Sequence, residues 1–251
     1  MKIYRIETAD GIVYAQKIDH FFQAVVFSQG AGAINVEGNK YHADDVKVLA
    51  PCEPTKIVAV GLNYRAHGKE MNEKLPEVPL IFMKPSTAVI ADGETIVRPD
   101  MAERVDYEAE LGVVIKKRCK NIKEVDAMDY VLGFTCVNDV TARDLQSIDG
   151  QWTRAKGFDT FCPIGPFIET EYNWENKRII AKLNGEIVQD SNTGQMIFPI
   201  ETLVSFISHI MTLNPGDVIA SGTPAGIGPM KKGDVVEVVI EGIGTLRNLV
   251  D

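Results

Sequence analysis

The chain has 251 residues, 45% of them hydrophobic and 24% charged, with a formal net charge of −9. That is enough length to bury a sizeable core in one large globular unit, with room for a small addition. The acidic balance argues against nucleic acid or an anionic membrane as partner, and no apolar run approaches the length of a membrane span.

The start, Met1-Lys2-Ile3-Tyr4-Arg5-Ile6-Glu7, has no apolar signal core, so a cytoplasmic protein is expected. Residues 1–6 alternate, 9–11 turn and 12–15 alternate again, which predicts a hairpin. An apolar run at 21–27 is followed by Gln29-Gly30-Ala31-Gly32, and Pro51 and Pro54 bracket a joint. Residues 1–50 hold no convergent polar set. They read as a small β-rich appendage, and 51–251 as the functional domain.

Residues 57–61 read as a buried strand leading into Leu62-Asn63-Tyr64-Arg65-Ala66-His67-Gly68-Lys69-Glu70-Met71. In a helical turn or two, His67 and Glu70 lie at i, i+3 on one side. A glutamate beside an imidazole orients it and holds its charge, as a general base requires, but the same spacing fits a solvated surface helix. Gly68 weakens the helix, and an exposed 72–79 loop with two prolines gives the segment the form of a lid. Lys84 ends the apolar run at 80–83; it either snorkels to solvent or points into a pocket.

Residues 105–115 form a strand-like stretch carrying Glu108 and Glu110 on one face. Two such carboxylates need water, a basic side chain or a hard divalent cation between them. A bare Glu-x-Glu also fits a solvated strand, although Gly112 and Val114 on the same face are not polar. A short helix is expected at 125–130 and a buried strand at 131–137. The strand runs into Asn138-Asp139, where the aspartate either caps a turn or serves as a ligand.

The irregular aromatic, Gly- and Pro-containing stretch 152–166 has the character of a loop wrapping a site. Residues 179–183 and 186–189 pair across Asn184-Gly185. A helix at 199–213 shows a stripe of Leu203, Phe206, Ile207 and Ile210, with His209 as a structural histidine. A strand at 217–220 enters a Gly-rich turn containing Thr223. Its backbone N–H groups suit a carboxylate, and the phosphate-loop pattern is absent. Strands at 235–240 and 245–250 close the chain. Cys52, Cys119, Cys136 and Cys162 lack C-x-x-C spacing and read as reduced, buried thiols. Many short strands with few helices predict an α+β, mainly β protein.

Six of these stretches stand in the order found in the fumarylacetoacetate hydrolase superfamily. They are Gly61-Leu62-Asn63-Tyr64-Arg65-Ala66-His67, Lys84-Pro85-Ser86, and residues 106–112, 138–146, 156–166 and 221–228. The chain most resembles the short acylpyruvate hydrolase and 2-hydroxyhepta-2,4-diene-1,7-dioate isomerase branch. That resemblance implies a mixed β-sandwich roll, a homodimer and a divalent metal, Mg²⁺ or Mn²⁺. It implies Glu108, Glu110 and Asp139 as metal carboxylates, and His67 and Glu70 as an acid–base dyad. Lys156 would stabilise enolate charge, Gln146 would orient a water, and Thr223 would contact the substrate carboxylate. Lys84 and Arg143 match pocket positions.

One departure matters: the longer tyrosine-degrading members carry an aspartate before the lid histidine, whereas residues 61–66 here contain no acid. The implied function is metal-dependent chemistry on a small 2-oxo or 2-enol acid, foremost C–C hydrolysis of an acylpyruvate. Isomerisation and oxaloacetate decarboxylation or tautomerisation are the alternatives. A non-catalytic metabolite-binding protein is the alternative outside enzymes, and the His67–Glu70–Lys156 set speaks against it.

Overall fold

In the computed structural model, which describes residues 1–27 and 34–251, a 12-stranded sheet dominates the fold. The predicted stretch at 29–32 lies outside the described residues. Across the sheet ten strands run Ile34–His42, Phe21–Phe27, Gly11–Ile18, Lys2–Thr8, Cys162–Glu169, Val131–Asn138, Ala109–Ile115, Val218–Ala220, Ile57–Val60 and Ile81–Lys84, and two more, Lys47–Leu49 and Val89–Ile90, pair off this path with Lys2–Thr8 and Cys162–Glu169. A second, five-stranded sheet runs Glu186–Asn192, Arg178–Leu183, Val235–Ile240, Gly244–Val250 and Thr95–Ile96. The protein is thus mainly β with few helices, as expected.

The two-residue period of a strand sorts the core. In Ala109–Ile115 the odd positions Leu111 and Val113 join Phe134, Ile179, Val238 and Leu246 between the two sheets. The even position Val114 faces the other way, where it packs with Ala59, Val137, Cys162 and Ala220. Glu110 belongs to this second face, so an apolar floor lies beside the carboxylates. All four cysteines are buried and free. Burial pushes the Cys52 and Cys162 thiols up to about 12.

The predicted hairpins form. Lys2–Thr8 pairs antiparallel with Gly11–Ile18, and Arg178–Leu183 with Glu186–Asn192. The second turn places Asn184 at φ +53° and Gly185 at φ +87°, the left-handed pair that a tight hairpin needs. Lys2–Thr8 also pairs with Cys162–Glu169, and the N-terminal amine meets Glu169 at 2.6 Å, so the first strands continue the large sheet.

Three expectations are adjusted. The 199–213 helix is Ile200–Ile210, and it buries Ile200, Leu203, Val204 and Ile207. Ile210, its last residue, is half exposed, because the stripe through Ile200 and Val204 is the one that meets the core. The 125–130 helix is a 3₁₀ segment, Glu124–Tyr130. The single strand at 105–115 is two strands. Val105–Tyr107 pairs with Thr141–Ala142 and Gly228–Pro229, and the chain then enters the large sheet at Ala109. At the break, Glu108 N–H donates to Asn138 Oδ1 at 2.9 Å and Asp139 N–H to the Glu108 carbonyl at 2.9 Å. A side chain thereby replaces one rung where the neighbouring strand turns away. Among the described residues no helix is long and apolar enough to cross a membrane.

Candidate active site

The junction at Glu108 brings three carboxylates together. Glu108 stands between two strands, Glu110 is two residues further on, and Asp139 follows Val131–Asn138. All three are buried, each with one ligand-type oxygen within 4.8 Å of the others'. Gly222 N–H donates to Glu110 Oε2 at 2.9 Å. Only glycine suits that position: its φ is +99°, and a Cβ would stand 2.6 Å from Asn63 Cβ.

Basic groups occupy both oxygens of Glu108 and of Asp139. Lys156 Nζ donates to Glu108 Oε2 at 2.8 Å and to Asp139 Oδ2 at 2.6 Å. Lys84 pairs with Asp139 Oδ1 and donates to the Val140 carbonyl at 3.0 Å. Arg143 pairs with Glu108 Oε1, donates to Asp106 Oδ2 at 2.9 Å and to Gln146 Oε1 at 2.6 Å. Burial raises the Glu108 carboxyl, but Lys156, Arg143 and His67 outweigh it and hold the group well below the usual carboxylate range. Glu110 goes the other way: burial, with the charges of Asp139 and Glu108, lifts it well above that range. For Lys156, burial opposes the charge, yet Asp139 and Glu108 keep its pKa above that of an ordinary lysine.

The four acids Asp106, Glu108, Glu110 and Asp139 face the four bases Lys84, Arg104, Arg143 and Lys156. Charge is balanced across the set as a whole, but among the described residues no basic side chain pairs with Glu110, so a carboxylate without a counter-charge in contact stands at that end of the cluster. The donors are all oxygens, the set preferred by hard divalent ions. Asn138 Nδ2 and Ser221 Oγ, on residues that adjoin the cluster's holding groups, are buried with no hydrogen-bond partner among the described residues. The three clustered carboxylates, with Glu110 in contact with no basic side chain among the described residues, fit a hard divalent ion.

His67 and Glu70 sit on the short helix Arg65–Glu70. His67 Nδ1 lies 2.9 Å from Glu70 Oε2, and the other oxygen of Glu70 accepts Gly226 N–H at 3.0 Å. The Gly-rich turn does hold carboxylates, then, and they are the protein's own. With Nδ1–H committed to Glu70, Nε2 is the nitrogen left for proton traffic. His67 lines a cavity of about 140 Å³ with Glu108, Arg143, Gln146, Trp152 and Lys156. That is well below the ~300 Å³ at which drug-sized sites begin, so the ligand is small.

Of the predicted residues, His67, Glu108, Arg143, Gln146 and Lys156 line this cavity. Lys84 lies behind Asp139 with no solvent exposure, and Thr223 is buried beside Gln189; these two, with Glu70, Glu110 and Asp139, are not part of the lining. Four supporting residues were missed. Asp106 holds Arg143, and Asn138 closes the break at Glu108. Gln189 accepts Ala109 N–H at 2.9 Å and donates to Thr223 Oγ1 at 2.9 Å. Asn63 Nδ2 donates to the Ser221 carbonyl at 2.7 Å, and its Oδ1 accepts Phe198 N–H at 2.7 Å, which anchors the chain entering the lid. Asp106 and Asn138 stand inside recognisable motifs, but Gln189, on an ordinary-looking hairpin strand, gives no local signal.

Residues 56–251 match the fumarylacetoacetate (FAA) hydrolase C-terminal family, and the chain belongs to it. A 5-carboxymethyl-2-hydroxymuconate delta-isomerase structure from Mycobacterium smegmatis superposes with a TM-score of 0.92 at 41% identity, covering 100% of this chain and 99% of that one. A 2-hydroxyhepta-2,4-diene-1,7-dioate isomerase from Mycobacterium marinum gives a TM-score of 0.90 at 41% identity, covering 100% and 98%. The mitochondrial oxaloacetate tautomerase Fahd2a of Rattus norvegicus is 44% identical over 217 residues, 82% of this chain and 69% of that protein.

Proposed function

We propose that this family member is a divalent-metal-dependent enzyme that shifts a proton between carbon and oxygen, or along the chain, of a short 2-oxo or 2-enol acid. The observation that carries this reading is His67, backed by Glu70, sharing a small cavity with Lys156 and the Glu108 end of the carboxylate cluster. The relatives named above support it, since isomerases and a tautomerase all perform such shifts.

A divalent ion, Mg²⁺ or Mn²⁺, held by Glu108, Glu110 and Asp139 would supply Lewis-acid polarisation of the 2-oxo group. The chain's own residues do the rest. His67 Nε2 takes a proton from carbon 3, and the electron pair forms the carbon 2–carbon 3 double bond as charge moves to the 2-oxo oxygen. Lys156 offsets that charge. Glu70 holds the imidazolium, which returns its proton to the oxygen or to a carbon further along. Thr223 is assigned to the substrate carboxylate, a contact that would require the Gly-rich turn to release its present partners Gln189 and Glu70.

A second reading is C–C hydrolysis of an acylpyruvate, favoured by the position of Gln146 in the cavity, where its amide can orient a water. Residues 51–251 form the catalytic unit in this proposal and residues 1–50 a structural addition. It also includes a homodimer and a cytoplasmic location.

The test is deuterium exchange at carbon 3, together with keto–enol absorbance, for a panel including oxaloacetate and acetylpyruvate. Exchange is expected to need metal. In His67→Ala it should fall by about 10²–10⁴-fold, as for loss of a general base, while oxalate still binds. Cleavage of acetylpyruvate outrunning exchange would favour the hydrolase, and binding without conversion of any 2-oxo acid would end the enzyme reading.

A further inference from the structure

A second cleft, of about 440 Å³, opens where the first strands meet the rest of the chain. Its lining shares no residue with the catalytic cavity. Arg5 lies in its wall. On the strand Lys2–Thr8, Arg5 shares a face with Ile3, which packs in the apolar core with Cys52 and Ile57. An arginine therefore occupies a position where the strand pattern calls for an apolar side chain, and it is only 6% exposed.

A guanidinium has five N–H donors, and a buried one normally has them engaged. Among the described residues Arg5 has one ion-pair partner, Glu53, whose side chain is 73% exposed. Glu53 is the exposed half of this pair, so its carboxylate can turn to solvent when another anion takes its place on the buried guanidinium. The remaining walls include the apolar Leu49, Val89 and Ile90. Glu94 also lines the cleft and already accepts Ala91 N–H at 2.8 Å, so its negative charge disfavours a second acid there.

We infer that this cleft is a ligand site for a monocarboxylate with an apolar body of several carbons, and that Glu53 occupies the carboxylate position when the ligand is absent. The ligand carboxylate engages the Arg5 fork, as planar bidentate recognition favours. Its hydrocarbon lies against Leu49, Val89 and Ile90.

The experiment is calorimetric titration of chelator-treated protein with hexanoate, adipate and hexylamine, which keeps metal-dependent recruitment at the catalytic cavity out of the reading. Saturable hexanoate binding is expected, with adipate weaker and hexylamine absent. Arg5→Gln should weaken hexanoate binding at least tenfold. Glu53→Ala should strengthen it roughly two- to fivefold, the gain from removing an exposed competing ion pair. That opposite sign identifies the site, and it remains testable if Arg5→Gln fails to fold. Absence of saturable binding, or hexanoate affinity unchanged or weakened in Glu53→Ala, would overturn the assignment. Turnover of 2-oxo acids bears on the catalytic reading alone.

Discussion

Lys84 stands behind Asp139 with no exposure to solvent, its ammonium on one carboxylate oxygen while Lys156 takes the other at 2.6 Å. Asp139 is thus held from two sides by charges that reach it from strand Ile81–Lys84 and helix Thr153–Lys156. Lys84 acts on the cluster from behind and fixes where Asp139 points.

Replacing this lysine tests the relationship. Lys84→Met removes one partner of a buried pair, a change that costs ~3–5 kcal/mol. The metal-free variant should melt well below the native protein, and Mg²⁺ should raise its Tm by more than it raises the native Tm, because the ion supplies the missing positive charge. Calorimetric melting with and without Mg²⁺ measures both; an unchanged metal-free Tm would contradict the role.

Glu110 predicts a pH effect. Burial and the charges of Asp139 and Glu108 raise its carboxyl, so the folded protein keeps a proton that the unfolded chain has lost. Between the ordinary carboxyl pKa and the raised one, metal-free stability therefore falls as pH rises. Glu108 has the opposite sign: its contribution is present above the ordinary pKa and is lost as pH falls. A divalent ion held by Glu110 would displace its proton, so apparent metal affinity should climb with pH through the Glu110 window. Titrations in buffers of different ionisation enthalpy should show proton release, absent in Glu110→Gln; equal heats in every buffer would count against it.

Asp106 is expected to be a positioning residue. Its buried carboxylate accepts from Arg104 at 2.8 Å and from Arg143 at 2.9 Å, and Arg143 in turn holds Glu108 and Gln146. Asp106→Asn leaves Arg143 less firmly oriented. The expected result is a fall in kcat of roughly tenfold or more, since small misplacements near reacting groups are costly. The proton release on metal binding should persist. Loss of metal binding in the folded variant would assign Asp106 to the metal centre instead.

Much of this protein is legible in the linear chain. Period-two alternation and the Asn184-Gly185 turn place the strands and one hairpin. The ordered motifs place His67, Glu108, Glu110, Asp139 and Lys156 in one site. These features are local: side-chain direction in a strand, left-handed turn residues and i, i+3 spacing are set by the backbone within a few residues.

The tertiary structure decides what the charges do to one another. Nothing local shows that Lys84 lies behind Asp139, 55 residues away, or that Gln189 reaches Ala109 across 80. The break at Glu108 is likewise invisible, because it depends on Asn138 from the next strand closing a rung. Burial makes these contacts consequential. In water Glu108 and Glu110 would titrate alike, but inside the protein the first is paired with Lys156 and Arg143, while for the second burial and the charges of Asp139 and Glu108 outweigh Lys156 and the Gly222 N–H. Two carboxylates that look equivalent in sequence thereby have their pKa values moved in opposite directions, because only packing determines which charge each one faces.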